Sequence, residues 1–113
     1  MTERMTTSMP HGGRFVGVGE WLERRAQLSP ERIGLVDVAS GARLSYRTLN
    51  LRARALAAWL AERHGVRQGD RVAALAANSP EYLDALFACA LLGAILTPLN
   101  WRLTPPELAG ILR

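Results

Sequence analysis

The chain of 113 residues has 49% apolar and 21% charged residues, which places it among globular chains with room for one modest domain. Its formal net charge of +4 comes from arginines scattered between Arg4 and Arg113, so no basic run argues for nucleic acid; with no lysine, these residues hold neither a Walker A loop nor a catalytic lysine. The single cysteine, Cys89, excludes a disulfide framework or a cysteine metal cluster and fits a reducing cytoplasm.

Residues 1–14 have no apolar signal-peptide core and are expected to form a mobile polar tail. From Phe15 to Leu28, Val18, Trp21, Leu22 and Leu28 alternate with charged residues in the pattern of a short amphipathic helix, which Pro30 closes. Ile33–Val38 and a short run around Leu44 read as two strands joined by the Ser-Gly turn within Ala39–Ala42, a hairpin.

Ser45 is the expected N-cap of a helix whose apolar face is Leu49, Ala53, Leu56, Ala57 and Leu60, ending at Gly65. Arg52 and Arg54, on different faces of it, read as a solvated surface. Val72–Ala77 is apolar without alternation, the pattern of a strand covered on both faces. Ser79 and Pro80 then start a helix apolar on both sides, with Leu83, Leu86, Phe87, Ala90 and Leu91 on one face and Ala85, Ala88, Cys89 and Leu92 on the other. It should therefore be buried nearly all round, up to Gly93.

A strand over Ala94–Leu99 completes a βαβ unit with parallel strands. The Ala85–Leu99 stretch is too short and too interrupted to cross a bilayer, so it reads as core. Thr104, Pro105 and Glu107 form a capping box for a last helix, whose apolar stripe of Leu108, Ile111 and Leu112 has just begun when the chain stops, the pattern of a truncated domain.

Candidate chemistry within these elements is sparse. Gly17 and Gly19 begin a dinucleotide fingerprint, but the third glycine position is Leu22 and no strand precedes it. His11 lies in the tail and His64 at a helix C-terminus, where an imidazole serves as a cap or dipole partner. Glu81 and Asp84 favour the positive end of their helix, and Asp70 sits in a turn. No metal-ligand spacing and no nucleophile paired with a base is present, so no catalytic or metal residue is assigned.

Leu44–Arg113 resembles the opening of the adenylate-forming (AMP-binding) superfamily, in the branch of acyl-CoA synthetases and fatty-acid–CoA ligases. An ordered series carries the resemblance: Ser45-Tyr46 at a helix start, GDRVA at Gly69–Ala73, NSPE at Asn78–Glu81, LGAI at Leu92–Ile95 and PLNWRLTPPEL at Pro98–Leu108. Adenylation domains of peptide synthetases usually have PLDP where this chain has Leu99, Asn100, Trp101 and Arg102. The helix around Trp21 and the hairpin also match the family's usual beginning, so the similarity extends over residues 15–113.

The resemblance implies an α/β fold, the incomplete N-terminal part of the large domain of an acyl-CoA synthetase, with a hairpin and a parallel βαβ unit. The parent reaction would convert a carboxylic acid, ATP and coenzyme A, with magnesium, to acyl-CoA, AMP and pyrophosphate in the cytoplasm. The phosphate loop, adenine and ribose contacts and the C-terminal lysine of such enzymes would all lie beyond Arg113. This chain alone is therefore expected to be inactive scaffold, with no cofactor of its own and with the rest of the synthetase as its partner. One site residue is proposed on position: Arg102 follows the C-terminal end of a strand, the ligand side of an open parallel sheet, where a guanidinium can grip a coenzyme A phosphate. The alternative is a non-catalytic interaction module, or one half of a split synthetase, binding through its unfinished apolar edge.

Overall fold

The computed structural model describes residues 17–100 and 102–113; the expected polar tail and Phe15, at the start of the expected first helix, lie outside them. A 3-10 turn, Val18–Glu20, leads into α1, Trp21–Leu28. The helix stops where Ser29 leaves helical geometry and Pro30 follows.

The hairpin forms as expected from β1, Ile33–Val36, and β2, Arg43–Ser45, paired antiparallel with Ile33 opposite Ser45 and Leu35 opposite Leu44. Gly34 is the extra residue in this register, a bulge. A Cβ there would lie 2.7 Å from the Tyr46 ring, so the position admits only glycine without displacement. β1 ends two residues before the expected Val38 because Asp37 turns the chain. Its carbonyl accepts from the Gly41 N–H at 2.7 Å and its carboxylate accepts from the Ser40 hydroxyl at 2.6 Å.

α2, Tyr46–His64, is the central element. Ser45 caps it, its hydroxyl accepting from the Thr48 N–H at 3.2 Å, and Gly65 ends it in the left-handed conformation. Leu49, Ala53, Ala57 and Leu60, four of the five residues of the expected stripe, are buried. They form two clusters: Leu22 of α1 with Leu49 and Ala53, and Ala57 and Leu60 with Ala88. Each fully buried leucine contributes about 1.5–3 kcal/mol.

The βαβ unit comprises β3, Arg71–Leu75, α3, Pro80–Leu92, and β4, Ile95–Leu99, with the strands parallel and in register from Arg71 opposite Ile95 to Leu75 opposite Leu99. α3 packs against α2 and against the 3-10 turn. At that second contact a Cβ on Gly19 would lie 2.7 Å from the Ala90 carbonyl oxygen, so Gly19 serves backbone packing rather than a nucleotide. α4, Pro105–Leu112, carries the expected capping box, the Thr104 N–H donating to Glu107 Oε2 at 2.9 Å.

Two expectations about cover fail. β3 is not covered on both faces: Val72 and Ala74 are half-buried while Arg71, Ala73 and Leu75 are exposed. Nor is α3 buried all round, since only Ala88 and Cys89 are fully enclosed and Leu86 is exposed. The physical reason is the same for both. The described residues supply a layer on one side of the β3–β4 pair only, and neither buried cluster takes a residue from β3, β4 or α4.

Candidate functional site

Because β3 and β4 run parallel, their carboxyl ends bring two loops to one edge: Ala76–Ser79, leading into α3, and Asn100–Thr104, leading into α4. The α3 start is shaped by Pro80 in the first turn and by an extended Ser79 at the N-cap position, whose side chain makes no capping bond. A groove of about 330 Å³ adjoins it, lined by Leu35, Val36 and Asp37 of the hairpin and by Asn78, Ser79 and Tyr82 among others.

The second loop is organised by Asn100. Its side-chain oxygen accepts from the Arg102 N–H at 3.0 Å, and its carbonyl accepts from the Leu103 N–H at 3.0 Å. Arg102 is thus exposed on the strand-end side, in the loop that the sequence assigns to it. The groove at the α3 start does not include it. Trp101 lies outside the described residues.

The other sequence candidates are accounted for by packing. His64 meets Trp59 edge to face, with ring centroids 4.4 Å apart. Cys89 is buried within α3, and burial pushes its thiol pKa up, the opposite of what a nucleophile needs. Asp70 closes its own turn by accepting from the Arg67 N–H at 2.7 Å, while its carbonyl accepts from the Ile95 N–H at 2.7 Å and so starts the strand pairing.

Of the two arginines expected on a solvated face, Arg54 is exposed and Arg52 is half-buried. Arg52 forks onto Asp84 of α3 with Nε at 3.1 Å from both carboxylate oxygens and a guanidinium nitrogen 2.7 Å from Oδ2. Hydrogen bonding to Asp84 raises the Arg52 pKa further above its already high range. Arg54 pairs with Glu23 of α1. Asp84 is therefore a helix–helix tie rather than a dipole partner. The two residues are 32 positions apart, and no local motif marks them.

Among the described residues no group of three His, Cys, Asp or Glu side chains could hold a metal ion, and no helix is long and apolar enough to cross a membrane. The donors present among the described residues do not fit magnesium, and the sequence has no lysine to offer an ammonium to the phosphates of ATP.

Residues 22–113 match the family described as AMP-binding enzyme. The chain is 47% identical over 95 residues to a feruloyl-CoA synthase of an Amycolatopsis species, covering 84% of this chain and 19% of that protein. It is 37% identical over 95 residues to a long-chain-fatty-acid–CoA ligase of Mycobacterium tuberculosis, with coverage of 84% and 19%. The crystal structure of the N-terminal domain of FACL13 from Mycobacterium tuberculosis superposes with a TM-score of 0.81 at 36% identity, covering 87% of this chain and 24% of that one. The chain thus spans 19% of the length of either relative. It belongs to the AMP-binding enzyme family, and its α/β fold matches part of the N-terminal domains of acyl-CoA synthetases.

Proposed function

We propose that the chain is the scaffold stretch of an AMP-forming acid–CoA ligase. The complete enzyme would join a carboxylic acid to coenzyme A, with ATP cleaved to AMP and pyrophosphate and with magnesium supplied at a site outside these residues. The observation that carries the reading is the family match over residues 22–113 together with relatives that are acid–CoA ligases by name. Higher identity to feruloyl-CoA synthase than to the fatty-acid ligase supports an aromatic acid as substrate. A free, enclosed Cys89 is compatible with a reducing cytoplasm. Both of these relatives are enzymes by name and neither is a binding module, so the interaction-module alternative gains nothing from them.

Within that enzyme Arg102 is assigned to a phosphate of coenzyme A. Its support is position: an exposed guanidinium on a loop at the carboxyl edge of parallel strands, held by Asn100. In the complete enzyme Arg102→Ala should raise the KM for coenzyme A with little change in the KM for ATP; an unchanged KM for coenzyme A removes the assignment.

The ligase reading is tested by extending the coding frame past Arg113 and assaying the complete product. Pyrophosphate exchange with ATP that depends on ferulate or a fatty acid, followed by thioester formation with coenzyme A, is the expected result. A complete product that activates no acid across such a panel would contradict it.

A further inference from the structure

The outer face of α2 is apolar where a solvated helix would be polar. Leu51, Ala55, Ala58 and Trp59 are all exposed, Leu51 at 60% and Trp59 at 51%. At 100° per residue these four, with Glu62, fall within an arc of about 100°. His64 is the one ring in contact with Trp59 among the described residues, and Glu62 has no ion-pair partner among them.

The face has an internal symmetry. Leu51 and Trp59 lie four residues on either side of Ala55, so the order along the helix is large, small, large. We infer that a second copy of this chain packs here, α2 against α2 antiparallel, with a twofold axis at Ala55. The small Ala55 and Ala58 let the two backbones approach, and Leu51 of each copy lies beside Trp59 of the other, so one stripe serves as both surfaces of an isologous contact.

Charge supports the same register. The axis places Glu62 of one copy one residue, about 1.5 Å along the helix, from the level of Arg47 of the other and on the same flank of the interface, twice by symmetry. Arg47 is exposed and bound on its other side to Glu31 at 2.6 Å, so one guanidinium can serve both carboxylates. Arg63 and Arg47 of the other copy are level but fall on opposite flanks, which keeps the like charges apart. Antiparallel helices also oppose their dipoles.

Sedimentation velocity of the 113-residue chain over a range of concentrations tests the contact. A monomer–dimer equilibrium is expected, weakened at least about tenfold by Trp59→Glu or Ala55→Arg, the effect of one central side chain. Leu28→Glu, at a leucine on α1 that is more exposed still, should leave it unchanged, with helix content by circular dichroism retained in all three. Ala55→Cys should cross-link to itself, whereas Glu62→Cys should not, because the two copies of position 62 would stand about 21 Å apart along the helices. A chain that is monomeric throughout, that forms larger species, or whose dimer survives both α2 substitutions overturns the inference. So does self-linking at position 62, which would require parallel helices.

Discussion

Arg52 and Asp84 tie α2 to α3 through a forked ion pair in which both carboxylate oxygens are engaged, and Asp84 is only 12% exposed. Arg47 and Glu31 form a single contact at 58% and 74% exposure. Geometry and burial separate the two: the fork is held rigidly and partly screened from water, while the exposed pair loses in side-chain entropy what it gains in attraction. A double-mutant cycle on Arg52→Ala and Asp84→Ala should return a coupling of about 1 kcal/mol or more, against about 0–0.5 kcal/mol for Arg47→Ala and Glu31→Ala. Urea unfolding of the four single and two double variants measures both. Equal couplings would mean that the fork contributes no more than a surface pair.

Gly19 and Gly110 should respond in opposite directions to alanine. A Cβ on Gly19 meets the backbone of Ala90 at 2.7 Å, and backbone cannot rotate away, so Gly19→Ala should destabilise by about 1–3 kcal/mol. A Cβ on Gly110, within α4, meets nothing within 4 Å, and Gly110→Ala should be neutral or stabilising by up to about 1 kcal/mol. Thermal melts of the two variants against the parent chain decide the sign of each.

Cys89 should make stability fall at alkaline pH. Burial favours the neutral thiol, so its folded pKa lies above its unfolded value. The contribution is fully present below the ordinary thiol pKa of about 8.5 and is lost as pH rises through the folded value, because the unfolded chain then releases its proton first. Urea midpoints at neutral and alkaline pH should show this loss in the parent chain and not in Cys89→Ala. The same alkaline loss in Cys89→Ala would assign it to other groups.

The chain by itself should not activate a carboxylic acid. An enzyme of ordinary power removes at least ~8 kcal/mol from its barrier, and that requires charge stabilisation at the phosphorus. These residues contain no lysine, and the described ones hold no metal-binding group. Pyrophosphate exchange assayed across aromatic and fatty acids should stay at background. Acid-dependent exchange that survives repurification would show that the scaffold carries more chemistry than its residues suggest.

Local features of the fold were legible in the sequence wherever one residue type satisfies a local backbone demand. Ser45 accepts the orphan N–H of Thr48, Glu107 closes the box on Thr104, and Gly65 and Gly93 take the left-handed turns that end α2 and α3. The buried stripe of α2 followed from its 3.6-residue period, and the parallel pairing of β3 with β4 followed from a strand, a helix and a strand with short joints. The family was legible in the same way, from short motifs in fixed order.

What only the tertiary structure decided is which surfaces meet. Periodicity shows that a face is apolar and not whether another layer covers it, so β3 and α3 are more exposed than their composition implies. Arg52 and Asp84 meet because two helices cross, and Gly19 is required by a carbonyl 71 residues away in the chain, at Ala90. Such contacts depend on distances between elements, a quantity that spacing along the sequence does not encode.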